Sequence, residues 1–398
     1  PSGLFDHLTN LKTSMNLANN ALVSLPNNLF DKITQLTTTL WIGSSTITSL
    51  PAGVFDSFKN TKIGTFELTV LHSGVLDKMT AMTTLSLSGV TTLPAGIFAK
   101  LTALKSVTIP LSLTSVNKNL FTHQSNLDTL YYSSNEVPTG LFTPLTKLNW
   151  LRIYFTSSLN SLPAGAFDTC TQLTDLKISD TQITTLPNSI FDKLSNLATL
   201  KIENNMLVSL PNNVFKMTNL VKTLDLSNNR LTSLPSLVFA SLTQAESLDL
   251  KRNDLVDLSS TQIFGASSKV KHLSFGDASI NNIKITKISS SLFAPNAWTV
   301  TEKFTLEQTD VKWLPADFLS AMPNITVLDL NNNAKITALP YNFFYPNSQL
   351  LEGYIYGVGT VLPCAGGSYL NTKDGQCTTA PIFPPSQGAK IFWGNTLN

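Results

Sequence analysis

Hydrophobic positions recur along this chain at an interval far longer than the period of a single helix or strand. In the clearest stretch the frame Leu-Pro-x-x-x-Phe returns as Leu162-Pro163 with Phe167, Leu186-Pro187 with Phe191, Leu210-Pro211 with Phe215, and Leu234-Pro235 with Phe239. Consecutive leucines are 24 residues apart (186 − 162, 210 − 186, 234 − 210). Such a period predicts a solenoid, in which each coil buries its apolar side against its neighbours. A second pattern lies between the frames, in Leu200-Lys201-Ile202-Glu203-Asn204-Asn205-Met206-Leu207 and in Leu224-Asp225-Leu226-Ser227-Asn228-Asn229-Arg230-Leu231. Its alternating start predicts a short strand with two residues pointing inward and the one between them facing solvent.

This second pattern resembles the L-x-L-x-x-N-x-L signature of leucine-rich repeats. The resemblance is to extracellular leucine-rich repeat proteins of the typical type and covers roughly residues 1–362. The segment at 93–104, Leu-Pro-Ala-Gly-Ile-Phe-Ala-Lys-Leu-Thr-Ala-Leu, is similar to repeats of lamprey-type variable lymphocyte receptors and of surface proteins of unicellular organisms. It implies an α/β solenoid of horseshoe form, with a parallel concave β-sheet, a phenylalanine spine and an irregular convex side. The repeat asparagine, held by Asn20, Asn205, Asn229, Asn253 and Asn333, is expected to bond backbone groups of neighbouring coils that would otherwise be buried unpaired. Ser45, Thr181 and Thr309 put hydroxyls in its place. The spine reads Phe5, Phe30, Phe55, Leu76, Phe98, Phe121, Phe142, Phe167, Phe191, Phe215, Phe239, Phe264, Phe293, Phe318 and Phe343, which makes fifteen coils. At a strand spacing of about 4.8 Å they predict a stack on the order of 70 Å long.

Only 13% of the residues are charged, and Ser, Thr and Asn fill the exposed positions instead. With a net charge of +2, no field favours nucleic acid or an anionic membrane as partner. No apolar stretch in this segment is long enough for a direct membrane span. The chain opens on the second half of a frame, Pro1-Ser2-Gly3-Leu4-Phe5, without its leucine or a cap, so the native protein is expected to extend upstream. Frame spacing shortens to 21 from Leu50 to Leu71 and from Val116 to Val137. It lengthens to 30 from Leu258 to Ile288, through Gly276-Asp277-Ala278-Ser279-Ile280-Asn281-Asn282-Ile283-Lys284, and insertions of this kind map to loops on one side of a solenoid.

The repeat stops after Leu362-Pro363, leaving residues 363–398 as a small Cys-containing segment and a tail with Pro381, Pro384 and Pro385. The Cys364 to Cys377 spacing is similar to the cysteine motif of ephrin-receptor-like modules and departs from the four-cysteine cap usual in extracellular leucine-rich repeat proteins. Two thiols without a nearby histidine do not complete a metal site. Cys364 and Cys377 are expected to form a disulfide closing a loop of about 14 residues, worth roughly 3 kcal/mol in the loop-entropy picture. Cys170 reads as a small buried apolar residue. The single Asn-x-Ser/Thr sequon, Asn324-Ile325-Thr326, is expected on the rim and makes Asn324 the candidate for an N-linked glycan.

The four histidines, His7, His72, His123 and His272, fall in different coils without a shared register, and phosphate-binding loops are absent. The reading is of a non-enzyme without cofactor or metal. Two functional classes stand open. One is an extracellular or cell-surface module that recognises a protein or glycan ligand, as the resemblance implies. The other is a structural subunit of a filament, appendage or wall that binds copies of itself. For the first class, the outward strand positions of the middle coils give Tyr131, Arg152, Lys177, Lys201, Asp225 and Asp249, joined by Trp150, Tyr154 and Glu203. Aromatic residues beside arginine are the types enriched in binding hot spots.

Overall fold

The structure is a computed structural model. It describes residues 3–43, 46–48, 50–156, 158–277, 281–292, 299–315 and 317–336, and the backbone of the strands Glu352–Tyr356, Tyr369–Asn371, Gln376–Thr378 and Lys390–Gly394. The chain forms two compact units, one from Pro1–Ile183 with Lys193–Leu197, the other from Thr184–Asp192 with Ala198–Asn398. Each is a stack of coils on a parallel sheet, the solenoid architecture expected from the period.

In the first unit the strands Ser14–Asn16, Thr39–Gly43, Ile63–Glu67, Thr84–Ser88, Ser106–Ile109, Thr129–Tyr132, Trp150–Tyr154 and Asp175–Ser179 pair in sequence order, all parallel. In the second unit the order is Thr199–Lys201, Thr223–Asp225, Ala245–Asp249, Val270–Gly276, Lys303–Glu307, Val327–Asp329, Glu352–Tyr356 and Lys390–Gly394, again all parallel. The last of these lies in the proline-containing tail, which thus docks on its own sheet edge. Opposite the sheets run turns and the short 3-10 segments Asp56–Phe58, Ser290–Leu292 and Leu319–Ala321. Among the described residues there is no α-helix.

Burial follows the strand alternation. Leu224 and Leu226 are fully buried while Asp225 between them is not. Of the spine, Phe293 and Phe343 lie outside the described residues. Elsewhere the rings stack from coil to coil, as in Phe142–Phe167 at 6.0 Å and 11°, Phe191–Phe215 at 6.2 Å and 4°, and Phe215–Phe239 at 5.9 Å and 17°. A parallel offset stack adds about 0.5–1.5 kcal/mol per pair to the area each ring buries.

The repeat asparagine does what its place requires. Asn229 Nδ2 donates to the carbonyls of Ile202 at 2.7 Å, Leu226 at 3.0 Å and Ser227 at 3.2 Å, and its Oδ1 accepts from Leu207 N–H at 3.2 Å. Asn253 and Asn333 repeat the arrangement one coil and several coils on. Asn20 is exposed, and among the described residues its amide donates to the Leu17 and Ala18 carbonyls of its own turn at 2.9 and 3.2 Å. Ser45 lies outside the described residues. The same slot, five residues after the first inward strand position, also holds Thr69 and Ser112, which the sequence reading passed over; their hydroxyls donate to Ile47 and Val90 carbonyls at 2.6 Å. The residue before the slot turns the chain with positive φ, at Asn19, Asp180, Asn204, Asn228, Arg252, Gln308 and Asn332.

The long repeat keeps its coil. Asp257–Leu258 pairs with Lys287–Ile288 in parallel, so the frames on either side of the extra residues stay in register. Arg252 Nε to Asp277 Oδ2 at 2.6 Å and Asn281 Nδ2 to Asp254 Oδ2 at 2.7 Å pin the extra residues.

Candidate functional site

Within the first unit the outward strand positions assemble the aromatic and basic residues singled out above. Register aligns Tyr131 with Arg152 and Lys177, Trp150 with Asp175, and Tyr154 with Ser179. Arg152 and Trp150 are two apart on one strand and so share a face; the guanidinium sits 4.7 Å from the indole centroid. Arg152 Nη2 also stands 3.9 Å from Asp175 Oδ1. Tyr131 meets Tyr154 edge-on at 6.4 Å, and Tyr154 meets Phe155 edge-on at 5.1 Å. Trp150 is 37% exposed and Phe155 60%.

Phe155 was missed by the sequence reading, which followed strand alternation and stopped at the strand end. It occupies the positive-φ turn position that other coils give to Asn, Asp or Gly and, at Arg252 and Gln308, to a long polar residue, at φ 54°. A bulky side chain held there is costly, by roughly 1–3 kcal/mol, and such cost concentrates at functional sites. A Phe where the other positive-φ coils carry a polar residue or glycine is the signal that could have found it. Inward from this cluster Tyr132 is fully buried and its hydroxyl donates to the Glu136 carbonyl; burial pushes its phenol well above the ordinary range.

The remaining candidates belong to the second unit. Lys201, Asp225 and Asp249 align in register, continuing through Ser274 and Thr305 to Asp329. Asp225 Oδ1 accepts from Ser227 N–H at 3.0 Å and Ser227 Oγ at 2.6 Å, and Asp249 Oδ1 accepts from Lys251 N–H at 2.9 Å. Glu203 is almost completely buried. Lys251, Glu307 and Asp329 escaped the sequence reading: Lys251 Nζ reaches Glu307 Oε2 at 2.6 Å, across the strand that ends in Gly276. Gly276 has φ +84°, and a Cβ there would stand 2.0 Å from the Glu307 carbonyl oxygen, so the close approach of these two strand ends needs glycine. Burial pushes the Asp249 carboxyl up. Burial and then the Glu307 carboxylate push Asp329 up to about 6.

Cys170 is fully buried with its Sγ 3.8 Å from the Phe142 carbonyl, a spine carbonyl of the kind that Gln124 Nε2 meets at Phe98; burial pushes the thiol up to about 12. Asn324 is exposed just ahead of a strand and its amide donates to the Thr299 carbonyl, as Asn126 and Asn196 amides do to Thr102 and Thr171. Cys364 lies outside the described residues, and Cys377 is described only as backbone of its strand. Among the described residues no three His, Cys, Asp or Glu side chains gather as a metal site, and no helix is long and apolar enough to cross a membrane.

The sequence matches the family described as the BspA type leucine rich repeat region, in six copies over residues 1–128 and 135–270. No curated protein sequence matches the chain. Among solved structures, the Toll–Spatzle complex of Drosophila aligns at 19% identity and a TM-score of 0.67, over 85% of this chain and 49% of that one. A leucine-rich repeat protein of Leptospira interrogans aligns at 18% identity and 0.62, over 90% and 93%. An internalin of Listeria monocytogenes aligns at 19% and 0.54, over 82% of each chain. At these identities the likeness shows the shared fold, and the chain spans about half the length of the Toll complex chain it matches.

Proposed function

The chain belongs to the BspA-type leucine-rich repeat proteins, and on that premise we propose that it is an extracellular or cell-surface recognition module that binds a protein or glycan ligand and is not an enzyme. The observation that carries this reading is the exposed cluster of Trp150, Arg152, Tyr154 and Phe155 on the sheet of the first unit, with Tyr131 and Lys177 in register beside it. Large rigid rings beside a guanidinium supply contact area at little conformational cost. One structure of this fold is a complex, that of Toll with Spatzle, and it lends the reading support by analogy. In the second unit Lys201, Asp225 and Asp249 are proposed as a separate polar contact surface, from which burial removes Glu203.

The test screens the immobilised chain against arrays of extracellular proteins and glycans. Trp150→Ala with Arg152→Ala is expected to weaken the captured ligand at least tenfold while leaving the thermal melt within a few degrees. Undiminished binding by the double variant sinks the assignment. A second reading, assembly with copies of itself, draws on Met217, Leu220 and Leu237, exposed apolar residues on the side of the second unit away from its sheet. Ordered polymer in purified material would favour that one.

A further inference from the structure

The hydroxyl side chains of the first unit divide into two populations. At the coil corners they are engaged: Thr37 donates to the Lys12 carbonyl at 2.9 Å, Thr61 to Leu36 at 3.0 Å and Thr83 to Lys62 at 3.2 Å. On the sheet face the outward hydroxyl residues fall in two rows: Thr65, Ser86 and Thr108 are adjacent in one, and Thr39, Thr84 and Ser106 lie in the other, where Ile63 stands between Thr39 and Thr84. Among the described residues none of these six hydroxyls has a protein hydrogen-bond partner, so each is left to solvent or a ligand. The row of Thr65, Ser86 and Thr108 ends in aromatics. Trp41, 39% exposed, is the register partner of Thr65 at one end, and Tyr131 that of Thr108 at the other, where the Trp150–Phe155 cluster begins.

We propose that this face binds a neutral, extended glycan, lying along the rows from Trp41 to the Tyr131–Phe155 cluster. The proposal deepens the recognition reading and rests on it. Three features select this ligand class. Glu67 is the one charged residue among the outward positions of the five strands from Thr39–Gly43 to Thr129–Tyr132, whereas the second unit presents Lys201, Asp225, Asp249, Lys251, Glu307 and Asp329. A neutral polyol therefore loses no ionic hydration here and gains none from countercharge. Solvated hydroxyls offer a protein partner little apolar area to bury, but sugar hydroxyls replace their bound waters one for one. Trp and Tyr rings present apolar faces with polar edges, the combination that suits sugar rings. Adjacent strands stand about 4.8 Å apart, close to the advance of one hexose in an extended chain, and four steps from Trp41 to Tyr131 give roughly 19 Å. At the far edge Ser179, outward by alternation and in register with Tyr154, is fully buried, and among the described residues its hydroxyl has no partner.

Affinity electrophoresis and calorimetry of the full chain with laminarin, xyloglucan and mannan as neutral probes, and alginate and heparin as anionic ones, decide the matter. The expected result is retardation by at least one neutral probe, weakened tenfold or more in Trp41→Ala and in the near-isosteric pair Thr65→Val with Thr108→Val, whose melts match the parent. Retardation by anionic probes alone, or neutral binding that survives both variants, overturns the proposal. So does the absence of any glycan binding. If a protein ligand still binds in that last case and is lost in Trp150→Ala with Arg152→Ala, the recognition reading stands without its glycan form. If neither class binds, both fall.

Discussion

One buried amide per coil illustrates how much a single residue carries here. Asn229 meets four backbone groups drawn from its own coil and the one before, and the Leu226 carbonyl it shares is also bonded by Asn253. Removing it would leave buried groups unpaired, at about 1–3 kcal/mol for each unmet group. Hydroxyls fill the slot in some coils, as at Thr69 and Ser112, where each donates to one carbonyl of the coil before. Charge at single positions has its own consequence at Asp329, which burial and Glu307 hold at about 6. A carboxyl raised in the folded chain binds its proton more tightly there than in the unfolded chain. Its contribution to stability is therefore full below the ordinary carboxyl value near 4 and is lost as pH rises through about 6. Asp329→Asn should raise the thermal midpoint at pH 7.5 and flatten its dependence between pH 4 and 6. An unchanged pH profile in that variant would assign the slope to other carboxylates.

At the scale of the element, each coil depends on its neighbours through the spine and the strand ladder. Phe215 is fully buried between Phe191 and Phe239, and its carbonyl accepts from Thr218 Oγ1 at 2.7 Å and from Ser241 Oγ. Phe215→Ala leaves a cavity the stacked rings cannot collapse into and should cost about 3–5 kcal/mol in urea unfolding. Phe215→Leu should cost clearly less, because Leu76 fills the equivalent slot fully buried. Equal losses in the two variants would show that the ring stack itself, rather than filled volume, holds the coils together.

For the whole molecule, stability in a repeat array is close to a sum of coil terms and nearest-neighbour interfaces, so the ends matter most. The tail strand Lys390–Gly394 on Glu352–Tyr356 extends the sheet of the second unit. The proposed Cys364–Cys377 bridge would secure the segment between them, and its presence would imply an oxidising compartment. Peptide mapping of non-reduced protein secreted from eukaryotic cells is expected to recover the linked peptides and a glycan on Asn324. A glycosylated Asn keeps one N–H for the Thr299 carbonyl, so sugar and turn are compatible. Free thiols at both cysteines and an unmodified Asn324 would remove the chemical support for an extracellular location.

The period, the inward strand positions, the spine and the asparagine slot were all legible in the chain, because each coil repeats the same local steric preferences and meets a neighbour with the same pattern. Pairing Leu-x-Leu with its equivalents needs no long-range information. The polar side of the sheet was read only in part. Alternation placed Tyr131, Trp150, Arg152 and Lys177 outward, yet it could not show the guanidinium packing on the indole or Phe155 held at positive φ beside Tyr154. Nor could it tell engaged hydroxyls at the corners from those left open on the face, since Thr and Ser fill both. Lys251 and Glu307 are 56 residues apart and meet across the strand that ends in Gly276, whose lack of a Cβ lets its backbone lie against that of Glu307. Such contacts depend on which coils are long, where register carries each side chain and which neighbour lacks a Cβ, and those are settled by the packed structure rather than by any one repeat.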